Sequence, residues 1–229
     1  MRNGEGTMKL CVLGDSVAKG VVYDEARRKY IFLKDSFINL FSSGRQIPVK
    51  NLARFGCTIT KGQQILEKQK DTIMECDYTI MEFGGNDCNF NWEEISQQPE
   101  RDHSPAVPSA LFKNTYSAMV TQVKKLGSRP ILLSLPPLNQ QRFFDWVCKG
   151  LNRKNVLAWL GDINYIYRWQ EAYNLIVFQL AQEHRVPLID IRKIFLENRH
   201  YGELLCLDGM HPSRKGHALI HSALTDLMI

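Results

Sequence analysis

Two short stretches near opposite ends of the 229-residue chain hold residue types that can act together. Gly14-Asp15-Ser16-Val17 sets a serine behind a glycine where an apolar run ends. Leu207-Asp208-Gly209-Met210-His211-Pro212-Ser213 sets an aspartate three residues before a histidine. A serine hydroxyl is a poor nucleophile until a base sits beside it. An imidazole held by a carboxylate through one nitrogen keeps the other free to take the serine proton. A single turn can join Asp208 to His211, and Pro212 biases His211 toward an extended backbone that leaves its ring in a loop. Taken singly, the first stretch also reads as an ordinary turn, and the second as a capping aspartate beside a surface histidine.

Acyl chemistry at a serine further needs donors for the developing oxyanion. Gly56, in Asn51-Leu52-Ala53-Arg54-Phe55-Gly56-Cys57-Thr58, permits a backbone angle that turns its N–H toward a crevice. In Gly84-Gly85-Asn86-Asp87 two glycines free the turn and Asn86 offers a side-chain amide. Asp15 and Asp87 are expected to anchor their loops through backbone hydrogen bonds. Asp190 is the alternative orienter of His211 should Asp208 point away. His217 and His221, spaced i, i+4, lack a third ligand and read as a solvated helix face; no metal and no cofactor are expected.

These residues need a scaffold that brings them to one place. Five apolar runs, over 9–13, 48–52, 78–83, 130–135 and 186–191, predict buried parallel strands. Helical spacing covers 30–42, 60–75, 108–126, 165–184 and Ser213 to the C-terminus, with Ser213 as the cap. This alternation predicts an α/β fold, a three-layer α/β/α sandwich on a five-stranded parallel sheet of flavodoxin-like order 2-1-3-4-5. In that order the first strand lies between the second and third, so Ser16 is flanked by the loops of Gly56 and Asn86. The connection over 192–212 is long enough to bring Asp208 and His211 over Ser16. Residues 88–107 and 138–164 fit no βα unit. Their Phe90, Trp92, Phe143, Phe144, Trp146 and Trp159 are expected to pack beside a cleft or in short helices covering the core. Phe90 and Trp92 are the candidate substrate contacts, on the wall of a pocket for a small acyl group.

Four motif blocks, in order across residues 14–213, resemble the SGNH (GDSL-type) hydrolase family of esterases and acylhydrolases. The Gly-Asp-Ser block carries the family nucleophile to Ser16. The second-block glycine falls on Gly56, the G-x-N-D block on Gly84-Gly85-Asn86-Asp87, and the D-x-x-H block on Asp208 and His211. Val17 replaces the usual leucine or isoleucine, Ala53 stands where many members have glycine, and Arg54 and Phe55 make the second block bulkier. The resemblance implies a three-layer fold and metal-independent ester hydrolysis through an acyl-enzyme, on lipids, acylated sugars or thioesters. The expected activity is hydrolysis of a small-molecule carboxylic ester with a small acyl group, O-acetyl on a carbohydrate included, or of a lipid-like ester. The same triad would serve an acyltransferase or thioesterase, and a non-catalytic α/β binding module is the reading of another class. An α/β-hydrolase elbow is disfavoured, because Ser16 follows the first strand and Ala18 misses the second glycine.

Composition bounds the rest. With 44% hydrophobic and 23% charged residues the chain is neither disordered nor fibrous. The net charge of +5 is spread along the chain, so no nucleic-acid partner is expected. No apolar run approaches the ~18 residues of a membrane segment, and no nucleotide-binding glycine loop is present. The start lacks the apolar stretch of a secretory signal. Six scattered cysteines show no framework or C-x-x-C spacing, so a cytoplasmic, thiol-reduced protein is expected. The length suits a single domain over 1–229, with residues 1–7 flexible or an expression remnant.

Overall fold

A computed structural model describes residues 7–227. Residues 1–6 of the expected flexible segment, and the last two residues of the expected C-terminal helix, lie outside the described residues.

In chain order the elements begin β1 (Leu10–Gly14), α1 (Ser16–Lys19), β2 (Val21–Asp24), β3 (Lys29–Phe32), α2 (Phe37–Arg45), β4 (Val49–Asn51), α3 (Ile59–Lys68), α4 (Lys70–Met74) and β5 (Tyr78–Glu82). They continue α5 (Trp92–Gln97), α6 (Ser109–Lys125), β6 (Arg129–Leu133), α7 (Gln140–Val147), α8 (Arg153–Leu160), α9 (Asn164–His184), β7 (Leu188–Ile189) and α10 (Ile191–Leu196). A short 3-10 turn (Tyr201–Leu204) and α11 (Arg214–Leu227) close the chain.

The main sheet is parallel throughout, in the order β4-β1-β5-β6-β7. Counting only its own strands along the chain gives 2-1-3-4-5, the expected order. All five residues of β1 are buried, as a strand covered on both faces requires. Strand alternation divides the core in two. Cys11, Leu13, Met81 and Leu132 face the layer of α3, α6 and α9, packing on Leu66, Phe112, Tyr116 and Val177. Leu10, Val12, Ile80, Ile131 and Leu133 face α2, α10 and α11, packing on Phe37, Phe41, Phe195 and Ile220. Gly62 of α3 lies so close to the sheet that a Cβ there would sit 2.5 Å from the Phe83 ring.

The sheet, its order and the helices near 60–75, 108–126 and 165–184 match the sequence reading. Ser213 also caps α11 as expected, its Oγ accepting from Gly216 N–H at 3.3 Å. The helix expected over 30–42 is corrected: it starts only at Phe37, because Lys29–Phe32 pairs antiparallel with Val21–Asp24 as a separate hairpin. His217 is corrected too. It is fully buried, its ring stacked 5.7 Å from that of Phe37, so it belongs to the core side of α11 and not to a solvated face.

Candidate active site

The carboxyl end of β1 turns sharply into α1. A Cβ on Gly14 would lie 2.7 Å from Ala18 Cβ and 2.8 Å from the Glu82 carbonyl oxygen, so only glycine fits the turn. Asp15 caps α1, its Oδ1 accepting from Val17 N–H at 2.9 Å. Ser16 is thereby held as the first helical residue, with its side chain at the pocket.

The loop after the 3-10 turn brings the base. Leu205 and Pro212 form an isolated bridge, and Cys206 N–H donates to the His211 carbonyl at 2.8 Å, which fixes the backbone around Asp208–His211. Gly209 takes φ +71° there, packed so tightly on the start of α7 that a Cβ would sit 2.6 Å from the Asn139 carbonyl oxygen. His211 Nε2 lies 2.9 Å from Ser16 Oγ, and His211 Nδ1 lies 2.7 Å from Asp208 Oδ2. The network assigns the tautomer: Nδ1–H donates to the carboxylate, and Nε2 accepts from the serine hydroxyl. Asp208 Oδ1 accepts from the Met210 and His211 N–H groups, both at 3.0 Å. Burial pushes the Asp208 carboxyl up. Hydrogen bonding and charge from His211, with the two N–H groups, outweigh burial and hold it below the ordinary range.

Gly56 and Asn86 flank this pair from the loops that follow β4 and β5, the strands either side of β1. Gly56 has φ +66° and open space where a Cβ would be, so conformation and not crowding selects glycine. Among the described residues, the N–H groups of Ser16 and Gly56 make no hydrogen bond to another protein group. Asn86 Nδ2 donates one hydrogen to Asp15 Oδ2 at 2.9 Å, which leaves its second hydrogen unused. Ser16, Gly56, Asn86 and His211 line one cavity of about 150 Å³.

Beneath the nucleophile turn lies a group the sequence reading missed. Glu82, the last residue of β5, is buried and its Oε2 accepts from Ala18 N–H at 3.2 Å. Its Oε2 also accepts from Asp15 N–H at 3.4 Å, and burial and the adjacent Asp15 charge push its carboxyl well above the ordinary range, so it keeps a proton. Its Oε1 has no hydrogen-bond partner among the described residues. A lone carboxylate in the apolar run Tyr78–Phe83 was the available signal.

The other expectations separate cleanly. Asp87 anchors a loop, its Oδ1 accepting from Ile59 N–H at 2.7 Å, and burial pushes its carboxyl up to about 7. Asp190 accepts from Ser134 Oγ and Lys193 N–H, both at 3.0 Å, and caps α10 while Asp208 takes His211. Phe90 and Trp92 do line the cavity. Residues 88–107 and 138–164 contribute short helices that pack on one another through Ile95, Phe143, Phe144, Val156 and Leu160 and form the cavity's far wall. Trp169 joins that wall, its indole N–H donating to the Cys88 carbonyl at 2.9 Å. Among the described residues no group of three or more His, Cys, Asp or Glu is placed to hold a metal, and no helix is long and apolar enough to cross a membrane.

The sequence profile of the GDSL-like lipase/acylhydrolase family matches residues 12–219. Among solved structures, the lipase/acylhydrolase from Enterococcus faecalis is similar at 19% identity and TM-score 0.68, over 96% of this chain and 94% of that one. An acetylxylan esterase from Geobacillus stearothermophilus, Axe2, solved as a catalytic mutant, is similar at 19% identity and TM-score 0.63, over 99% and 95%. The psychrotrophic esterase EstA from Pseudoalteromonas sp. is similar at 15% identity and TM-score 0.60, over 95% and 94%. At such identities the likeness is one of fold. The comparison with curated proteins returns no match.

Proposed function

The chain belongs to the GDSL-like lipase/acylhydrolase family, and from that premise we propose that it hydrolyses carboxylic esters at Ser16 through an acyl-enzyme, working as a single domain. The observation that carries this reading is the continuous run of hydrogen bonds from Ser16 through His211 to Asp208, at 2.9 and 2.7 Å, beside two unengaged backbone N–H groups.

His211 Nε2 takes the serine proton as Oγ attacks the ester carbonyl. Asp208 keeps the imidazole in the tautomer that accepts at Nε2 and stabilises the cation that forms. The carbonyl oxygen, now an anion, lies against the N–H groups of Ser16 and Gly56 and the free hydrogen of the Asn86 amide. Collapse of the tetrahedral adduct breaks the bond to the alcohol, which leaves with the proton from His211. Water, deprotonated by His211, repeats the sequence on the acyl-enzyme and releases the acid.

The far wall favours an apolar acyl group. Leu160, Ile166, Met210, Phe90, Trp92 and Trp169 offer mostly carbon. A volume of about 150 Å³ is roughly ten times the 10–15 Å³ that one buried water needs. An acetyl group, as on the acetylated xylan named for Axe2, would leave most of that wall uncovered. The small-acyl expectation thus narrows to a short-to-medium aliphatic chain. A series of nitrophenyl esters tests both points: turnover should rise from acetate to butyrate or hexanoate and vanish in Ser16→Ala. Turnover that survives Ser16→Ala would remove the nucleophile, and a steady fall from acetate onward would place the acyl chain elsewhere.

A further inference from the structure

The β2–β3 hairpin contributes nothing to the main sheet, yet it delivers one side chain to the catalytic loop. Tyr30, on β3, donates its hydroxyl to Asp208 Oδ2 at 3.1 Å. That oxygen is also the acceptor of His211 Nδ1–H. Both carboxylate oxygens of Asp208 are therefore doubly engaged, Oδ1 by two backbone N–H groups and Oδ2 by the imidazole and the phenol. Burial, then the charge of Asp208, push the Tyr30 hydroxyl far above its ordinary range, so it remains a donor at any pH the protein meets.

Rings from three other elements hold the phenol. Tyr23 on β2 lies 5.4 Å away edge-on, Phe55 beyond β4 lies 5.4 Å away, and Trp146 of α7 lies 6.2 Å away. The Tyr30 ring also lies 5.1 Å from the His211 ring, tilted by 58°. None of the four motif blocks supplies this contact.

We propose that Tyr30 is a positioning residue of the triad: its hydroxyl fixes Asp208 Oδ2 and draws off part of the negative charge that this oxygen presents to His211. The inference rests on the serine-hydrolase reading of Ser16, His211 and Asp208. A hydrogen bond donated to a carboxylate stabilises its charged form, and charge-assisted bonds of this kind are the strong ones. Two donors sharing one oxygen compete for the same charge. Without the phenol, that charge falls wholly on the His211 Nδ1–H bond, which strengthens, and the imidazolium becomes easier to form.

The other ionisable groups around the pair are few. Asp15 faces His211 from the nucleophile turn, with protonated Glu82 behind it on β5. His217 on α11 is pushed down to about 4 by burial and is neutral in the working range. The Cys206 thiol near Asp208 is pushed up to about 11 by burial, and so is uncharged. None changes when one oxygen is removed from Tyr30.

Tyr30→Phe removes that oxygen and keeps the ring. In the free protein, the downfield proton resonance of His211 Nδ1–H should move further downfield. In the active enzyme, the acid limb of kcat/KM should move to higher pH, by roughly half a unit to one unit for the loss of one hydrogen bond to a charged partner. Replacing Tyr30 by 3-fluorotyrosine, a stronger donor of nearly the same shape, should move both readouts the opposite way. That variant carries the test if the phenylalanine protein does not fold. A resonance and an acid limb that both superimpose on wild type, with only a lower unfolding temperature, would leave Tyr30 a mere packing residue and overturn the proposal. A shifted resonance in a protein without ester turnover would uphold the Tyr30–Asp208–His211 coupling and sink the esterase reading instead.

Discussion

Replacing Asn86 by alanine separates two consequences that the geometry keeps distinct. The amide gives one hydrogen to Asp15 Oδ2 at 2.9 Å and has its second free at the cavity beside Ser16. If that second hydrogen meets the oxyanion, its loss is felt only in the transition state, and kcat should fall about 10²–10³-fold, or ~2.7–4 kcal/mol, with KM nearly unchanged. The loss of the first hydrogen leaves a buried carboxylate oxygen short of a donor, which costs about 1–3 kcal/mol of stability and lowers Tm by several degrees. Asp15 keeps Val17 N–H and Glu82, so the fold should survive. Steady-state kinetics on a nitrophenyl ester and a thermal melt read the two effects separately. Asp15→Ala, by contrast, removes the cap that holds Ser16 at the start of α1 as well as the partner of Asn86, so it should lower kcat more than Asn86→Ala does. A near-wild-type kcat for Asn86→Ala would refute the assignment.

Other perturbations reach different parts of the account. Gly209→Ala forces a Cβ to within 2.6 Å of the Asn139 carbonyl oxygen at φ +71°, so it should shift the Asp208–His211 loop and cut kcat/KM by about tenfold or more; unchanged kinetics would mean the loop has slack. Gly62→Ala pushes into the Phe83 ring and should cost about 1–3 kcal/mol by overpacking, read as a lower denaturation midpoint with kcat little altered. For Glu82→Gln the sign follows from an acid raised by burial and by Asp15. The folded state holds the proton, so the wild-type contribution is full below the ordinary carboxylate value and erodes as pH rises toward the folded one. Glutamine cannot ionise, so the variant's stability relative to wild type should improve from pH 5 to pH 8; a pH-independent difference would mean Glu82 is ionised in the fold.

The scaffold was legible because its strands are near-continuous apolar runs ended by turn residues, and because Ser16, Gly56, Asn86 and His211 all sit where such runs end or a helix begins. The hairpin was not legible. Val21–Asp24 and Lys29–Phe32 are short and half-exposed, and the link between them has neither glycine nor asparagine. Arg28 itself takes the left-handed conformation there, at φ 52°, so the usual turn signal is missing. The phenol of Tyr30 was hidden with it, since its partner lies 178 residues away. His217 was misread for a related reason: an i, i+4 spacing fixes which helix face two residues share, but not which face meets the core. Glu82 was within reach, because an acid inside a strand buried on both faces must find a partner or hold a proton.

The central claim is that Ser16 is a nucleophile activated by His211. Intact-protein and peptide mass spectrometry after treatment with a fluorophosphonate measures this directly, without knowledge of the substrate. One adduct should form, on the peptide carrying Ser16; it should be absent in Ser16→Ala and form far more slowly in His211→Ala. A folded protein that takes up no label, or takes it up equally well without His211, would contradict the account.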